Sequence, residues 1–128
     1  MRRDEQQIHR AVVQHLRLRG IPGMMFWHTM QNVFTPGRRG AVLGGIAKSM
    51  GVFPGVPDLL LFYNGQLYGL EIKTNTGSLS AHQARFIADM VENGGLAQVA
   101  KGIDHAIEIL EDWQLLKGAS AITRKKTA

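Results

Sequence analysis

The sequence contains no cysteine, which excludes a disulfide framework and a zinc site built from thiolates. It also lacks any apolar run approaching the roughly 18 residues that a membrane-spanning helix needs. The first residues, Met-Arg-Arg-Asp-Glu-Gln-Gln, do not provide the apolar core of a signal peptide. These absences predict a soluble, cytoplasmic protein with no membrane partner.

Acidic residues are in the minority, and several common functional motifs are missing. The chain has 15 Lys and Arg against 10 Asp and Glu, which gives a formal charge of +5. It has no internal repeat and no glycine-rich nucleotide-binding loop, and its five histidines lack metal-ligand spacing. A basic chain of this kind favours nucleic acid as partner, because Lys and Arg neutralise phosphates. The alternative is that the charge only keeps the surface solvated.

Residues 55–74 predict a β-hairpin with a fixed register. Apolar runs of strand length, 59–63 and 66–74, flank Asn64-Gly65. This pair is the strongest short-range signal for a type I′ turn, because both of its positions need positive φ. A two-residue turn places Asp58 directly opposite Glu71.

The opposed carboxylates of Asp58 and Glu71 indicate a cation site. Opposed side chains have Cβ atoms about 4.5–5.5 Å apart, and like charges at that spacing are destabilising. The flanking leucines predict a buried strand pair, in which unpaired charge is costly. A site of oxygen ligands suits Mg²⁺ or Mn²⁺. Alternation along the strand also puts Lys73 on the same face as Glu71, so the hairpin delivers three charged groups to one patch.

These residues carry a resemblance to a known family. Pro57-Asp58 followed by Glu71-Ile72-Lys73 resembles the PD-(D/E)xK nuclease signature. The wider pattern is similar to the VRR-NUC family of virus-type replication-repair nucleases, and it is carried by Gly51-Val52, Gly55 to Leu59, Leu79-Ser80 and Gln83. The similarity runs from Glu5 to about residue 110 of the 128 residues. The short chain resembles a stand-alone viral or prophage member, which would act in the cytoplasm of a bacterial host.

The resemblance implies a fold and an activity. The fold is an α/β restriction-endonuclease-like core, a mixed sheet with a central hairpin flanked by helices. The activity is metal-dependent hydrolysis of phosphodiester bonds in DNA. Asp58, Glu71 and the backbone carbonyl of Ile72 would hold Mg²⁺ or Mn²⁺, and Lys73 would orient the attacking water. Stand-alone members resemble Holliday-junction resolvases, so branched DNA and a homodimer are expected.

Residues 3–19 predict a first helix, ended by Gly20 and Pro22. Glu5 shares the apolar stripe of this helix with Ile8 and Val12, so its carboxylate points inward. One interpretation is a favourable charge in the first helical turn. The other is a further metal ligand, because the family uses an acid from its first helix and Glu5 matches that position.

The next stretch predicts a DNA-binding region. A strand is expected over 23–30, then a loop over 31–40 and a short helix over 41–50. Arg38 and Arg39, flanked by glycines, can contact phosphates or form a solvated basic turn. Lys48 is a further candidate contact. For His28 there are two interpretations, a contact with the substrate or the structural role that a lone histidine in an apolar strand more often has.

The last third of the chain predicts a helix, a strand and a helix. Ser80 and Gln83 fit a capping box at the start of the first helix. The resemblance also places a glutamine beside the active site, so a positioning role is predicted for Gln83. A strand is expected over 96–100 and a helix over 103–116, which completes one nuclease domain over 1–116. The basic tail, 117–128, is expected to be mobile and either adds DNA affinity or is only solvated.

Two functions from other classes remain open. The first is a DNA-binding or assembly protein that keeps the fold without cleaving DNA. The second is a hydrolase of a small phosphorylated molecule, which the basic segments disfavour.

Overall fold

The computed structural model describes residues 3–30 and 38–118, apart from the side chains of Arg38 and Arg39. Helices and strands alternate along the chain except at the β2–β3 hairpin, as is typical of an α/β domain. The elements are α1 (Arg3–Arg19), β1 (Met25–His28), α2 (Arg38–Ser49), β2 (Leu59–Tyr63), β3 (Gln66–Lys73), α3 (Ala81–Glu92), β4 (Leu96–Lys101) and α4 (Ile103–Asp112).

The four strands form one mixed sheet in the order β1-β2-β3-β4. β1 and β2 are antiparallel, β2 and β3 form the predicted hairpin, and β4 runs parallel to β3. The predicted register is confirmed, because Leu59 pairs with Leu70 and Tyr63 with Gln66. Asn64 has a φ of 51° and Gly65 a φ of 81°, as a type I′ turn requires.

The hydrophobic core lies on one face of the hairpin. Leu70 and Ile72 alternate along β3 and both are 0% exposed. They belong to a cluster that includes Val12 of α1 and Leu110 of α4. The predicted mixed sheet flanked by helices is therefore confirmed, and Glu71 and Lys73 lie on the opposite face of β3.

α1 coincides with the predicted helix, whereas two other predicted boundaries were wrong. The segment 38–40, predicted as a loop, forms the first turn of α2. Gly40 and Gly44 stand one turn apart in this helix and both are buried. Helix α2 forms here although each interior glycine lowers helix stability by about 1 kcal/mol relative to alanine.

The final helix ends at Asp112 rather than at residue 116. Gln114 adopts a φ of 62°, which takes the chain out of the helix. Leu115 and Leu116 are buried after this turn, and Leu116 forms a bridge with Gly20. Leu115 and Leu116, which were predicted as the end of the last helix, instead contact the end of α1 from an extended segment.

The capping box of α3 is confirmed. The Ser80 Oγ accepts a hydrogen bond from the Gln83 N–H at 3.2 Å, and the Gln83 Oε1 accepts one from the Ser80 N–H at 2.9 Å. Within residues 3–30 and 38–118, no helix is long and apolar enough to cross a bilayer. The basic tail from residue 119 onward, with Arg124, Lys125 and Lys126, lies outside the described residues.

Candidate active site

Asp58 and Glu71 meet at the open end of the hairpin. Asp58 immediately precedes β2, and its Oδ2 accepts a hydrogen bond of 2.8 Å from the Ile72 N–H of β3. This bond fixes the Asp58 carboxylate against the neighbouring strand, beside Glu71. Burial raises the pKa of Asp58 above its usual range, and the Ile72 N–H opposes that shift.

Glu71 is the most unusual side chain of the site. It is only 1% exposed, and its Oε1 has no hydrogen-bond partner among the described residues. Burial, followed by the negative charge of Asp58, raises the pKa of Glu71 to about 9. A buried carboxyl without full hydrogen bonding costs free energy, so an unpartnered oxygen here points to a missing ligand.

Lys73 supplies the positive charge of the site. It lies two residues beyond Glu71 in β3, so the two side chains share one face of the sheet. Its ammonium group lowers the pKa of both Asp58 and Glu71, which places it within electrostatic reach of the two carboxyls. The structure therefore brings together the three residues that the hairpin register predicted.

Glu5 reaches the same site from α1. It is 8% exposed, and its negative charge contributes to the raised pKa of Glu71. The buried stripe of α1 continues through His9, Val12 and Leu16, rather than through Ile8 as the sequence suggested. Glu5 therefore faces inward as predicted, and His9 lies one helical turn behind it.

Two histidines pack beside the acidic pair. The His9 and His28 rings have centroids 4.3 Å apart, and burial, followed by the charge of His28, lowers the pKa of His9 to about 4. The Nδ1 of His28 lies 2.8 Å from the backbone carbonyl oxygen of Asp58. His28 thus contacts the backbone that carries the first acid, which agrees with a structural role.

Thr29 also holds the segment before β2. Its Oγ1 donates a hydrogen bond of 2.8 Å to the Pro57 carbonyl, and its N–H donates one of 3.1 Å to the Asp58 carbonyl. With His28, Thr29 attaches the Pro57-Asp58 peptide to the edge of the sheet. The backbone of Asp58 is therefore held from the end of β1, and its side chain is held from β3.

The residues present fit a divalent cation. Within the described residues, no group of three His, Cys, Asp or Glu side chains is arranged as a complete metal cage. Proteins usually supply Mg²⁺ with one or two carboxylate ligands, because the ion keeps several waters and also binds substrate phosphate oxygens. The unpartnered Oε1 of Glu71 offers one such ligand. The structure links Ile72 to Asp58 through its N–H, and the predicted role of its carbonyl stays a prediction.

Comparison with known proteins decides the family. The sequence pattern of the VRR-NUC domain matches residues 3–104, most of the chain. The protein belongs to the VRR-NUC family of nuclease domains. Comparison with curated proteins gives no match.

Two solved structures described as VRR-NUC domain proteins share this fold. The first has a TM-score of 0.65 and 24% identity, and the match covers 84% of each chain. The second has a TM-score of 0.58 and 16% identity, and covers 85% of this chain and 96% of the other. At these identities the likeness concerns the fold alone, which is the α/β architecture that the sequence predicted.

The three residues predicted to bind DNA lie on α2 and not among the acidic residues of the candidate active site. Arg38 and Arg39 begin α2, and nothing further is described of their side chains. Lys48 is exposed in the last turn of α2, about 15 Å along the helix axis from Arg38. Arg38 and Arg39 thus belong to α2 rather than to the predicted loop, and Lys48 lies near the end of a helix as predicted. The contact of all three residues with DNA stays a prediction.

Gln83 is accounted for by the capping box of α3, because its Oε1 binds the Ser80 N–H. This is the structural interpretation of its inward position. The role beside the VRR-NUC active site that the resemblance implies stays a prediction.

Sequence reasoning missed three residues near the site. His9 follows Glu5 by four residues, so the helical period could have placed it on the same face. Thr29 has no such signal, because its role depends on hydrogen bonds to Pro57 and Asp58 across strands. Lys101 pairs with Lys73 in the parallel register of β3 and β4, which no local pattern reveals.

Proposed function

We propose that this protein is an endonuclease that hydrolyses phosphodiester bonds in DNA with Mg²⁺ or Mn²⁺. The observation that carries the proposal is the Glu71 carboxyl, buried to 1% exposure with an unpartnered Oε1 beside Asp58. A carboxyl buried only for structural reasons would have a hydrogen-bond partner for each of its oxygens. Membership of a nuclease-domain family supports the reaction class.

Asp58 and Glu71 would hold the divalent ion, and Glu5 adds negative charge that strengthens the attraction. Because the pKa of Glu71 is raised, Glu71 must lose its proton before it can bind the ion. The Asp58 carboxylate is already oriented by its hydrogen bond from the Ile72 N–H. When bound by these carboxylates, a divalent ion would supply Lewis-acid stabilisation of the phosphate and would make the attacking water more acidic. Hydrolysis then adds water across a P–O bond and leaves one phosphate end and one hydroxyl end.

Lys73 would stabilise the reacting phosphate. Its ammonium group lies on the same strand face as Glu71, so it can face the negative charge that develops during attack. It also orients the attacking water in this proposal. Lys101, its neighbour in the β3–β4 register, is exposed and adds positive charge for the DNA backbone.

The finer substrate assignment is a structure-selective, resolvase-like activity on branched DNA. Paired cuts in a four-way junction need two active sites, so the proposal includes a homodimer. The exposed apolar side chains of α2, Val42 at 58% and Ile46 at 55%, offer surface that a second copy would cover. Sedimentation of the full chain tests the dimer independently of cleavage.

The deciding experiment is a cleavage assay on end-labelled single strand, duplex, flap, splayed arm and four-way junction. Each DNA is incubated with Mg²⁺, with Mn²⁺ and with chelator, beside the Lys73→Ala variant. Metal-dependent products that the variant does not form establish the nuclease, and symmetric paired cuts in the junction establish resolution. Tight, salt-sensitive binding without products under every metal would instead favour a non-catalytic DNA-binding protein.

A further inference from the structure

A cavity lies on the face of the sheet that carries Glu71, beside the charged cluster. It is an apolar pocket of about 380 Å³, within the size range of small-ligand sites. Helix α3 forms one wall and the β2–β3 hairpin forms the floor. The lining residues are Phe53, Leu60, Leu67, Phe86, Asp89, Met90, Asn93 and Gly95.

The strand register places this pocket next to the proposed active site. Leu67 of the pocket and Glu71 have the same parity in β3, so both side chains leave the same face. Leu60, the other floor residue, pairs with Gly69, which stands midway between them. Four strand residues span about 13 Å, which equals about four stacked nucleotides at about 3.4 Å each.

The mouth of the pocket has an aromatic wall. The Phe53 and Phe86 rings have centroids 5.9 Å apart with planes tilted by 60°, and Phe53 is 60% exposed. A half-open aromatic pair offers a flat apolar surface that accepts the face of a nucleobase. A phenylalanine that served only the core would be buried.

Gly55 fixes the position of this wall. Its φ is 87°, and an added Cβ would meet the backbone carbonyl of His82. The chain after Phe53 therefore packs directly onto the first turn of α3, which also carries Phe86 one turn later. The ring pair is thus held by close backbone contact between the loop and the helix.

The rim of the pocket is polar and electrically balanced. Asp89 lines the pocket, and its carboxylate accepts a hydrogen bond of 3.3 Å from the Nε of exposed Arg85. Arg85 offsets the repulsion that a lone carboxylate would exert on a phosphate backbone. Carboxylate oxygens such as those of Asp89 are suitable acceptors for an exocyclic amino group of the kind that cytosine presents.

We propose that this pocket binds one unstacked nucleobase of the DNA, within about four nucleotides of the phosphate at Asp58 and Glu71. The proposal rests on the proposed nuclease function for the identity of the ligand. It explains why an apolar pocket opens beside a charged site on the same sheet face. The ligand that we expect in the pocket is an aromatic heterocycle, and a base with an exocyclic amino group would complement the Asp89 carboxylate.

A base site of this kind favours DNA that contains unpaired nucleotides. Removing a base from a duplex stack has an energetic cost, which is smallest where the strand is already single or mismatched. Splayed arms, flaps and junctions supply such bases next to a backbone. The pocket would therefore contribute to selection of branched DNA through base stacking rather than through sequence readout.

The test measures binding of a splayed-arm DNA in chelator, where no cleavage occurs and the branch point fixes the register. Fluorescence anisotropy compares the wild type with Phe53→Ala, Phe53→Tyr and the control Phe62→Ala. Phe62 is an exposed aromatic residue of the same hairpin that does not line the pocket. We expect Phe53→Ala to lose about 5- to 150-fold in affinity, the range of base stacking on an aromatic ring. Phe53→Tyr should retain binding, and Phe62→Ala should stay close to the wild type.

A scan with abasic nucleotides separates base binding from a general change in the protein. One position of the arm should weaken wild-type binding when its base is removed, and the same removal should leave Phe53→Ala unaffected. Equal affinities of Phe53→Ala and Phe62→Ala would overturn the base site. The base site would also be overturned if removal of that base weakened the binding of Phe53→Ala as much as that of the wild type. A change in the sedimentation of Phe53→Ala relative to the wild type would overturn it too, because it would assign the pocket to contact with a second copy.

The two proposals fail in different ways. Wild-type cleavage without any Phe53 dependence of binding removes the base site and keeps the nuclease. A Phe53-dependent abasic penalty without cleavage under either metal keeps the base site and removes the nuclease. Because binding is measured in chelator, its result does not depend on the metal.

Discussion

The two faces of β3 are equally buried and chemically opposite. Leu70 and Ile72 are 0% exposed on the face packed against α1 and α4, and Glu71 between them is 1% exposed. The two apolar side chains have packing partners, whereas the Glu71 Oε1 has no hydrogen-bond partner in the part of the chain described. Burial alone therefore does not distinguish a core position from a site position, and the presence or absence of partners does.

The comparison also has an energetic side. Burial of a leucine or isoleucine side chain stabilises a fold by about 1.5–3 kcal/mol. An incompletely hydrogen-bonded buried polar group destabilises it by about 1–3 kcal/mol. One face of the strand thus stabilises the domain, and the other lowers its stability in the absence of a ligand.

The largest expected effect concerns Lys73 on the site face. Lys73→Ala should lower the cleavage rate by about 10²–10³, because it removes stabilisation of the reacting phosphate. Single-turnover cleavage of the preferred DNA measures the loss. Lys101→Ala is the comparison, because it removes a positive charge in the same register, and saturating protein keeps its effect on DNA binding out of the measured rate. A Lys73→Ala rate equal to that of Lys101→Ala would remove Lys73 from the reaction.

The apolar face should give the opposite pattern. Leu70→Ala should lower the free energy of unfolding by about 2–5 kcal/mol, because it opens a cavity in the core. Urea unfolding measures this loss, and cleavage per folded molecule should stay near the wild-type value. If Leu70→Ala cost under 1 kcal/mol, a figure far below the roughly 2–5 kcal/mol of core truncations, the strand would not anchor this core.

Glu71 makes stability depend on pH in the metal-free protein. Its pKa rises from 4.5 in the unfolded chain to about 9 in the folded chain, so the folded state favours the proton. Its contribution to stability is complete below pH 4.5 and is lost as pH rises through about 9. We therefore expect unfolding free energies in chelator to fall with rising pH, by at most about 1.4 kcal/mol per pH unit.

Glu71→Gln is the control for this dependence. It removes the titrating carboxyl, so most of the fall toward alkaline pH should disappear. The pKa of His9, lowered to about 4, acts on the acid side, where stability is lost as pH falls from 6.5 through 4. That acid-side loss should persist in the variant. An unchanged alkaline slope would show that another group holds the proton.

The hairpin and its charged patch could be predicted because their cause is local. Asn64-Gly65 fixes the turn, the turn fixes the register, and the register places Asp58 beside Glu71. The four-residue spacing from Glu5 could have indicated His9. Thr29, in contrast, was missed because its hydrogen bonds reach Pro57 and Asp58 across strands. The pocket at Phe53 was missed for the same reason, since its position depends on how Gly55 packs on α3.

The smallest expected effect separates two roles of Gln83. Ser80→Ala and Gln83→Ala each remove one half of the capping box, and each should cost about 1 kcal/mol in urea unfolding. Because the Gln83 Oε1 is bound to the Ser80 N–H, we expect equal cleavage rates for the two variants at saturating metal. A rate loss confined to Gln83→Ala would instead give this side chain the positioning role that the resemblance implies. Ser80→Ala provides the comparison, because it removes the same cap without touching the amide that would face the DNA.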